Sequence, residues 1–182
     1  KAYLARLKDL VLKPEIIPQA AGLKIVFTNL HGTGGFLVPT ILSDLGFDFE
    51  TVTAQDTPDG RFPTVPSPNP ENASALQMAI DQAEATEADL VIGTDPDCDR
   101  MGAGVRDASG RIQLLSGNQI GSLMAYYRCR TFSELGIINA SNRDHAVLVK
   151  TFVTTELQRA IAGRYGIPIV DTLTGFKYIG GK

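Results

Sequence analysis

Leu4, Leu7 and Val11 recur at i, i+3 and i+7, a spacing that predicts a short amphipathic helix stopped near Pro14. Leu23 to Thr28 is a largely apolar run of strand length, followed by the turn His31-Gly32-Thr33-Gly34-Gly35. Val38, Ile41, Leu42 and Leu45 then share one helical face, with Pro39 expected in the first turn and Gly46 closing the helix. A second strand is expected over Phe47 to Val52, and a loop rich in Pro, Asp and Thr from Ala54 to Pro70. Asn69-Pro70-Glu71 is a helix start, with Leu76, Ile80 and Ala83 on the inner face. Leu90 to Ile92 forms the next strand. Ala103 to Val105 and Arg111 to Leu115 flank the turn Asp107-Ala108-Ser109-Gly110 and read as a hairpin. A helix carrying Ile120, Leu123, Met124 and Tyr127 on one face is expected to end near Arg130.

The stretch from Thr131 to Asp144 is polar and interrupted, and a domain boundary is placed there, giving units 1–133 and 134–182. A new β-α-β run follows: Ala146 to Lys150, a helix with Leu157, Ile161 and Tyr165, and Ile167 to Val170, with Thr172 to Gly175 as a loop. Strands alternating with helices predict an α/β fold, a three-layer α/β/α sandwich whose hairpin makes the sheet mixed, followed by a partial second domain of similar type. The chain starts at Lys1 rather than Met and stops at Gly180-Gly181-Lys182 just after a polar loop, so an internal piece of a longer protein is expected.

Composition narrows the function classes. At 182 residues the chain can bury a core, and its net charge of −3 without a basic run argues against non-specific nucleic-acid binding. Cys98 and Cys129 form no CxxC pair, so neither a disulfide framework nor a zinc site is indicated, and a reducing compartment fits. No apolar run has the length of a membrane span, and no signal peptide opens the sequence.

The chemistry concentrates in Asp95-Pro96-Asp97-Cys98-Asp99-Arg100, directly after an apolar strand. In an extended segment alternate side chains point the same way, so Asp95, Asp97 and Asp99 can converge on one cation. Three hard oxygen donors beside Arg100 suit Mg²⁺ next to a phosphate group. An EF-hand needs Gly at the sixth position and Glu at the twelfth, but Arg100 and Arg106 stand there, so that reading fails. A haloacid-dehalogenase-type phosphatase would use Asp95 as nucleophile, yet that fold usually carries Thr or Val where this chain has Asp99. The remaining alternative is a solvated acidic turn.

Three other features have two readings each. The HGTGG turn lies between strand and helix, where backbone N–H groups can face an anion, but its glycines equally suit a tight turn needing positive φ. As a dinucleotide fingerprint it is poor, because Leu37 occupies the third glycine position. His31 either contacts a ligand or satisfies a backbone group. Lys177, in a glycine loop after a strand, is a phosphate-binding point charge or a solvated lysine. Cys98 is read as a small packing residue between the aspartates rather than a nucleophile.

Taken in order, NLHGTGG at Asn29–Gly35, GTDPDCDRMG at Gly93–Gly102, LLSGNQIGSLM at Leu114–Met124 and DTLTGFKYIG at Asp171–Gly180 resemble the α-D-phosphohexomutase family, which includes phosphoglucomutase and phosphomannomutase. The first three strings match the family's second domain and the last its third. TVPSPNPE at Thr64–Glu71 resembles the branch with bacterial phosphoglucomutases and phosphopentomutase-like enzymes. The resemblance implies a cytoplasmic, Mg²⁺-dependent isomerase that interconverts hexose 1-phosphate and hexose 6-phosphate through a phosphoserine and a bisphosphate. It also implies metal ligation by Asp95, Asp97 and Asp99, catalytic roles for Arg100 and Lys177, and partners in a hexose phosphate and the remaining domains of the same chain. The family's T-A-S-H-N-P phosphoserine string, its G-E-x-S-G-H-type sugar loop and its phosphate clamp do not occur in this sequence. The isolated chain is therefore expected to be inactive. A catalytically dead paralogue or an interaction module is the non-enzyme alternative.

Overall fold

Ile25, Val26 and Phe27 are almost completely buried, as befits a central strand covered on both faces. In the computed structural model, which describes residues 2–182, they lie in β1 (Lys24–Thr28), the second strand of a five-stranded sheet. Lys1, at the expected start of the first helix, is outside the described residues. The sheet order is β2 (Asp48–Thr51), β1, β3 (Leu90–Thr94), β4 (Met101–Arg106) and β5 (Ile112–Leu115). β2, β1 and β3 are parallel, whereas β3–β4 and β4–β5 are antiparallel, so the sheet is mixed as expected.

The two long crossover helices lie on opposite faces. The chain moves outward from β1 to β2 and then back across β1 to β3, and right-handed crossovers in opposite directions must use opposite faces. The side chains agree: a Cβ on Gly93 would strike Leu76 of α4 (Ala73–Ala85), whereas its neighbour Thr94 abuts Gly34 of α2 (Gly34–Leu45). Val26, Val52, Ala79, Ala83, Ala88, Val91 and Ile112 form the core between α4 and the sheet. Alanines at 79 and 83 let the helix backbone come close to the strands, and Leu76 fills the space above Gly93. Arg106 donates from Nε to the Ala88 carbonyl at 2.8 Å and from Nη2 to the Ala83 carbonyl at 2.6 Å, tying the last turn of α4 and the segment after it to β4.

Several local expectations shift. Pro39 sits in the interior of α2 rather than its first turn. Gly46 ends that helix at φ 83° as expected. Asn69 makes a turn by accepting the Glu71 N–H at 3.0 Å, and α4 begins only at Ala73. The first helix, α1 (Ala2–Lys8), buries no residue, and a 3-10 segment, Pro14–Ala20, follows it. A short helix, α3 (Thr53–Asp56), leads into the long loop.

The chain divides into two compact units after Ser116, not at the 133/134 position suggested by composition. The helix α5 (Gly117–Glu134) packs on α6 (Leu157–Arg164) and so belongs with the second unit. That unit also holds a 3-10 turn, Arg143–His145, the parallel pair β6 (Leu148–Thr151) and β7 (Ile169–Thr172), and α7 (Phe176–Gly180). Its core is Cys129, Ala162 and Ile167, with Ile138, Ala146, Leu148 and Tyr165 packed against them. The α5–α6 contact uses small side chains: a Cβ on Gly121 would come within 2.7 Å of the Gln158 amide nitrogen. As a result α5 buries Ser122, Cys129 and Thr131 and leaves Leu123, Met124 and Tyr127 exposed, the reverse of the expected inner face. No helix among the described residues is long and apolar enough to cross a membrane.

Candidate metal centre

The loop Asp95–Arg100 joins antiparallel neighbours, since Thr94 pairs with Met101 in the β3–β4 ladder. Six residues must reverse the chain there, and they do so through local hydrogen bonds. The Cys98 N–H donates to the Asp95 carbonyl at 3.0 Å, and the Asp95 N–H to the Arg100 carbonyl at 3.3 Å. Cys98 adopts φ 63°, a left-handed conformation that side-chain-bearing residues rarely take.

The Asp95 side chain organises this turn from inside. It is fully buried, and its Oδ1 accepts the N–H groups of Asp99 at 3.0 Å and Arg100 at 2.9 Å. Its Oδ2 accepts Arg100 Nε at 2.9 Å. Asp97 and Asp99 are exposed, yet one carboxylate oxygen from each of Asp95, Asp97 and Asp99 lies within 4.8 Å of the other two. The expected convergence is therefore present, although it arises from a tight turn rather than from the alternation of an extended strand.

The electrostatics separate the three groups. Burial pushes the Asp95 carboxyl upward, but the Arg100 backbone N–H and guanidinium outweigh it and hold the pKa below its ordinary value. The negative charge of Asp97, followed by burial and the charge of Asp95, pushes Asp99 in the opposite direction. Three hard carboxylate oxygens crowded within 4.8 Å, with Asp97 and Asp95 pushing Asp99 upward, form a donor set that a divalent cation relieves, so the residues present fit such an ion. Arg100, about half-exposed, leans on the cluster with its Nε 3.7 Å from Asp99 Oδ1.

The HGTGG turn touches this loop directly. Thr33 donates to the Pro96 carbonyl from its backbone N–H at 2.8 Å and from Oγ1 at 3.1 Å. Positive φ falls on Leu30 and His31, at 46° and 61°, and not on the glycines of the turn. Those glycines are needed for close approach instead: a Cβ on Gly32 would lie 2.3 Å from Pro96 Cα, and one on Gly34 2.6 Å from Thr94 Oγ1. His31 is buried, with Nδ1 3.1 Å from the Thr57 carbonyl and Nε2 2.9 Å from Thr64 Oγ1. Of the two readings for this histidine, the one that satisfies protein groups holds. Cys98 is exposed.

Lys177 belongs to the second unit, on the short α7 after Gly175, whose φ is 125°. Its ammonium lies 4.9 Å from the centre of the Tyr178 ring. The same unit contains a charged group that sequence reasoning missed. Lys150, with its side chain 1 % exposed, pairs with Glu156 at 2.8 Å and with Asp171 at 3.0 Å, while Arg159 bridges the same two carboxylates. A lone lysine in the otherwise apolar run around β6 and a lone aspartate in β7 were the signal, because they stand opposite each other in the β6–β7 register.

Residues 1–110 match the family model for phosphoglucomutase/phosphomannomutase alpha/beta/alpha domain II, and residues 116–182 match that for alpha/beta/alpha domain III. The string from Gly117 to Met124 thus falls in the domain III match, consistent with the packing of α5 and contrary to its expected place in domain II. A phosphoglucomutase of Staphylococcus epidermidis is 43% identical over 178 residues, covering 97% of this chain and 30% of that protein. One from Staphylococcus aureus is 41% identical over 158 residues, covering 86% of this chain and 27% of that protein. This chain therefore spans about 30% of the length of the curated relatives it matches. Among solved structures, a phosphomannomutase-type protein of Thermus thermophilus superimposes with TM-score 0.72 at 24% identity, over 97% of this chain and 36% of that one. An Aspergillus fumigatus N-acetylphosphoglucosamine mutase, solved with GlcNAc-6P and magnesium, gives TM-score 0.60 at 18% identity over 87% of this chain and 32% of its own. At those identities the likeness concerns the fold.

Proposed function

Because the chain belongs to the phosphoglucomutase/phosphomannomutase family, we propose that it supplies the metal-binding loop and the opening part of the third domain of a cytoplasmic hexose-phosphate mutase. The observation that carries this reading is the convergence of the Asp95, Asp97 and Asp99 oxygens within 4.8 Å. These three would hold Mg²⁺, whose contribution is to offset negative charge on a phosphoryl oxygen as a Lewis acid. Asp95 fixes the Arg100 guanidinium through Nε, and the partly exposed fork then serves as a donor to a phosphate group. Lys177 adds an exposed point charge on the third-domain portion. The reaction of the whole enzyme is interconversion of hexose 1-phosphate and hexose 6-phosphate through a phosphoserine and a bisphosphate. The serine comes from polypeptide outside this sequence, and the remaining domains are this chain's partners.

A dehalogenase-type role for Asp95 fits poorly. Inside a fully buried site Oδ1 already accepts two N–H groups and Oδ2 accepts Arg100 Nε, so the one acceptor position left on Oδ2 cannot both hold the cation and attack a phosphoryl group. Mn²⁺ binding to the 182-residue chain, followed by electron paramagnetic resonance, tests the metal assignment. Asp97→Asn and Asp99→Asn should each weaken binding at least tenfold, and equal affinity in wild type and both variants overturns the assignment. A coupled glucose 1-phosphate assay on the same chain should read background, and turnover would overturn the assignment of the phosphoryl carrier to other domains.

A further inference from the structure

We propose that Thr33 is a positioning residue for the metal loop, holding Asp97 in place through the Pro96 carbonyl, and that His31 anchors the turn from which Thr33 acts. The inference rests on the metal reading above and assigns the HGTGG turn a role as a brace rather than as an anion cradle.

Pro96 lies between two of the three carboxylates. Its ring fixes φ near −65°, so the free rotation left to it is ψ, which sets the plane of the Pro96–Asp97 peptide. The carbonyl of that peptide accepts two hydrogen bonds from one residue, the backbone N–H of Thr33 at 2.8 Å and its hydroxyl at 3.1 Å. Fixing that oxygen fixes the peptide plane, and with it the direction in which Asp97 leaves the backbone. Gly32 removes any alternative arrangement, because the turn backbone lies so close to Pro96 that a Cβ would fall 2.3 Å from its Cα and 2.6 Å from its carbonyl oxygen.

Leu30 and His31 both hold left-handed backbone conformations, which cost energy and persist only where surrounding contacts enforce them. His31 supplies four such hydrogen-bonded contacts. Its N–H donates to the Gln55 carbonyl at 3.0 Å, and its carbonyl accepts the Asp59 N–H at 3.1 Å. The Thr57 carbonyl can only accept, so Nδ1 carries the proton and donates to it, and Nε2 accepts from the Thr64 hydroxyl. Thr64 in turn accepts from Gln55 Nε2 at 3.0 Å, and Gln55 Oε1 accepts from Thr28 at 2.6 Å. A continuous, largely buried relay thus runs from the end of β1, through Gln55, Thr64 and His31, to the turn that grips Pro96.

Metal-site partners one shell out from the ligands typically change affinity by roughly 10–100-fold when removed. The test is Mn²⁺ affinity of the 182-residue chain, with unfolding temperature in EDTA measured on the same samples. Thr33 is exposed, so Thr33→Val should leave the unfolding temperature unchanged while weakening Mn²⁺ binding about tenfold. Thr33→Ser should restore wild-type affinity. His31→Ala should weaken binding as well, beyond the loss accounted for by its unfolded fraction. Wild-type affinity in Thr33→Val, or equal weakening in Thr33→Val and Thr33→Ser, overturns the inference while leaving the metal reading intact if Asp97→Asn still weakens binding at least tenfold. Equal affinity of wild type and Asp97→Asn overturns both.

Discussion

Asp95→Asn keeps the size of a buried side chain and removes its charge, and the structure allows the cost to be worked out. In the native protein one oxygen takes two backbone N–H groups at 3.0 and 2.9 Å, and the other takes Arg100 Nε at 2.9 Å. An amide can serve only one of these sides. With its oxygen toward the backbone donors, its NH₂ meets the Nε–H of Arg100, donor against donor; turned round, it confronts two donors instead of one. The first arrangement is cheaper, forfeiting one charge-assisted bond and weakening two. A hydrogen bond to a charged group contributes about 1.5–3 kcal/mol, and Arg100 can recover part of its loss from water, so the net cost is roughly 2–4 kcal/mol. That corresponds to an increase of about one and a half to three decades in the opening equilibrium of the loop and its flanking strands.

Hydrogen exchange resolved over Leu90–Arg106, in EDTA, is the suitable assay, because two compact units need not unfold together. Asp97→Asn and Asp99→Asn make the contrast. Both side chains are exposed, and for Asp99 the repulsion from Asp97 and Asp95 outweighs the 3.7 Å approach to Arg100, so their exchange in EDTA should stay at or close to the wild-type rate. If Asp95→Asn exchanges like wild type while either of the other two opens the loop, the division into one structural carboxylate and two presented ones is wrong.

Two further outcomes follow from the packing. Leu76→Ala removes a fully buried side chain that fills the space over Gly93 and should cost the first unit about 2–5 kcal/mol, measured by urea unfolding; a loss below ~1 kcal/mol would mean that α4 settles onto the sheet. In the β4–β5 hairpin, the Ser109 hydroxyl first, and then backbone N–H groups of Arg111 and Ser109, hold Asp107 at a pKa of about 2 against an ordinary 3.8. A depressed folded pKa means that its contribution is complete above the unfolded value and disappears as pH falls from near 3.8 toward 2. Carbon-13 NMR titration of Asp107 should give a midpoint near 2, and a midpoint at 3.8 would contradict the turn geometry.

The order of strands and helices, the mixed sheet and the acidic trio were all legible from residue pattern. Each depends on interactions between near neighbours: periodicity decides which face is apolar, and Asp95, Asp97 and Asp99 share one six-residue loop. Recognition of the family rested on the same kind of local string. Tertiary packing decided the rest. The boundary at Ser116 depends on which partner α5 selects, and its buried Ser122 and Cys129 look ordinary until α6 lies against them. The glycines of the HGTGG turn look like residues for positive φ, yet what they provide is room for Pro96 and Thr94, whose positions are set by chain more than fifty residues away. His31 was undecidable on its own, because its two partners, Thr57 and Thr64, come from a loop whose path no local periodicity describes. Short-range pattern specifies which surfaces must be covered, but only the closed fold determines which groups lie within hydrogen-bonding distance of one another.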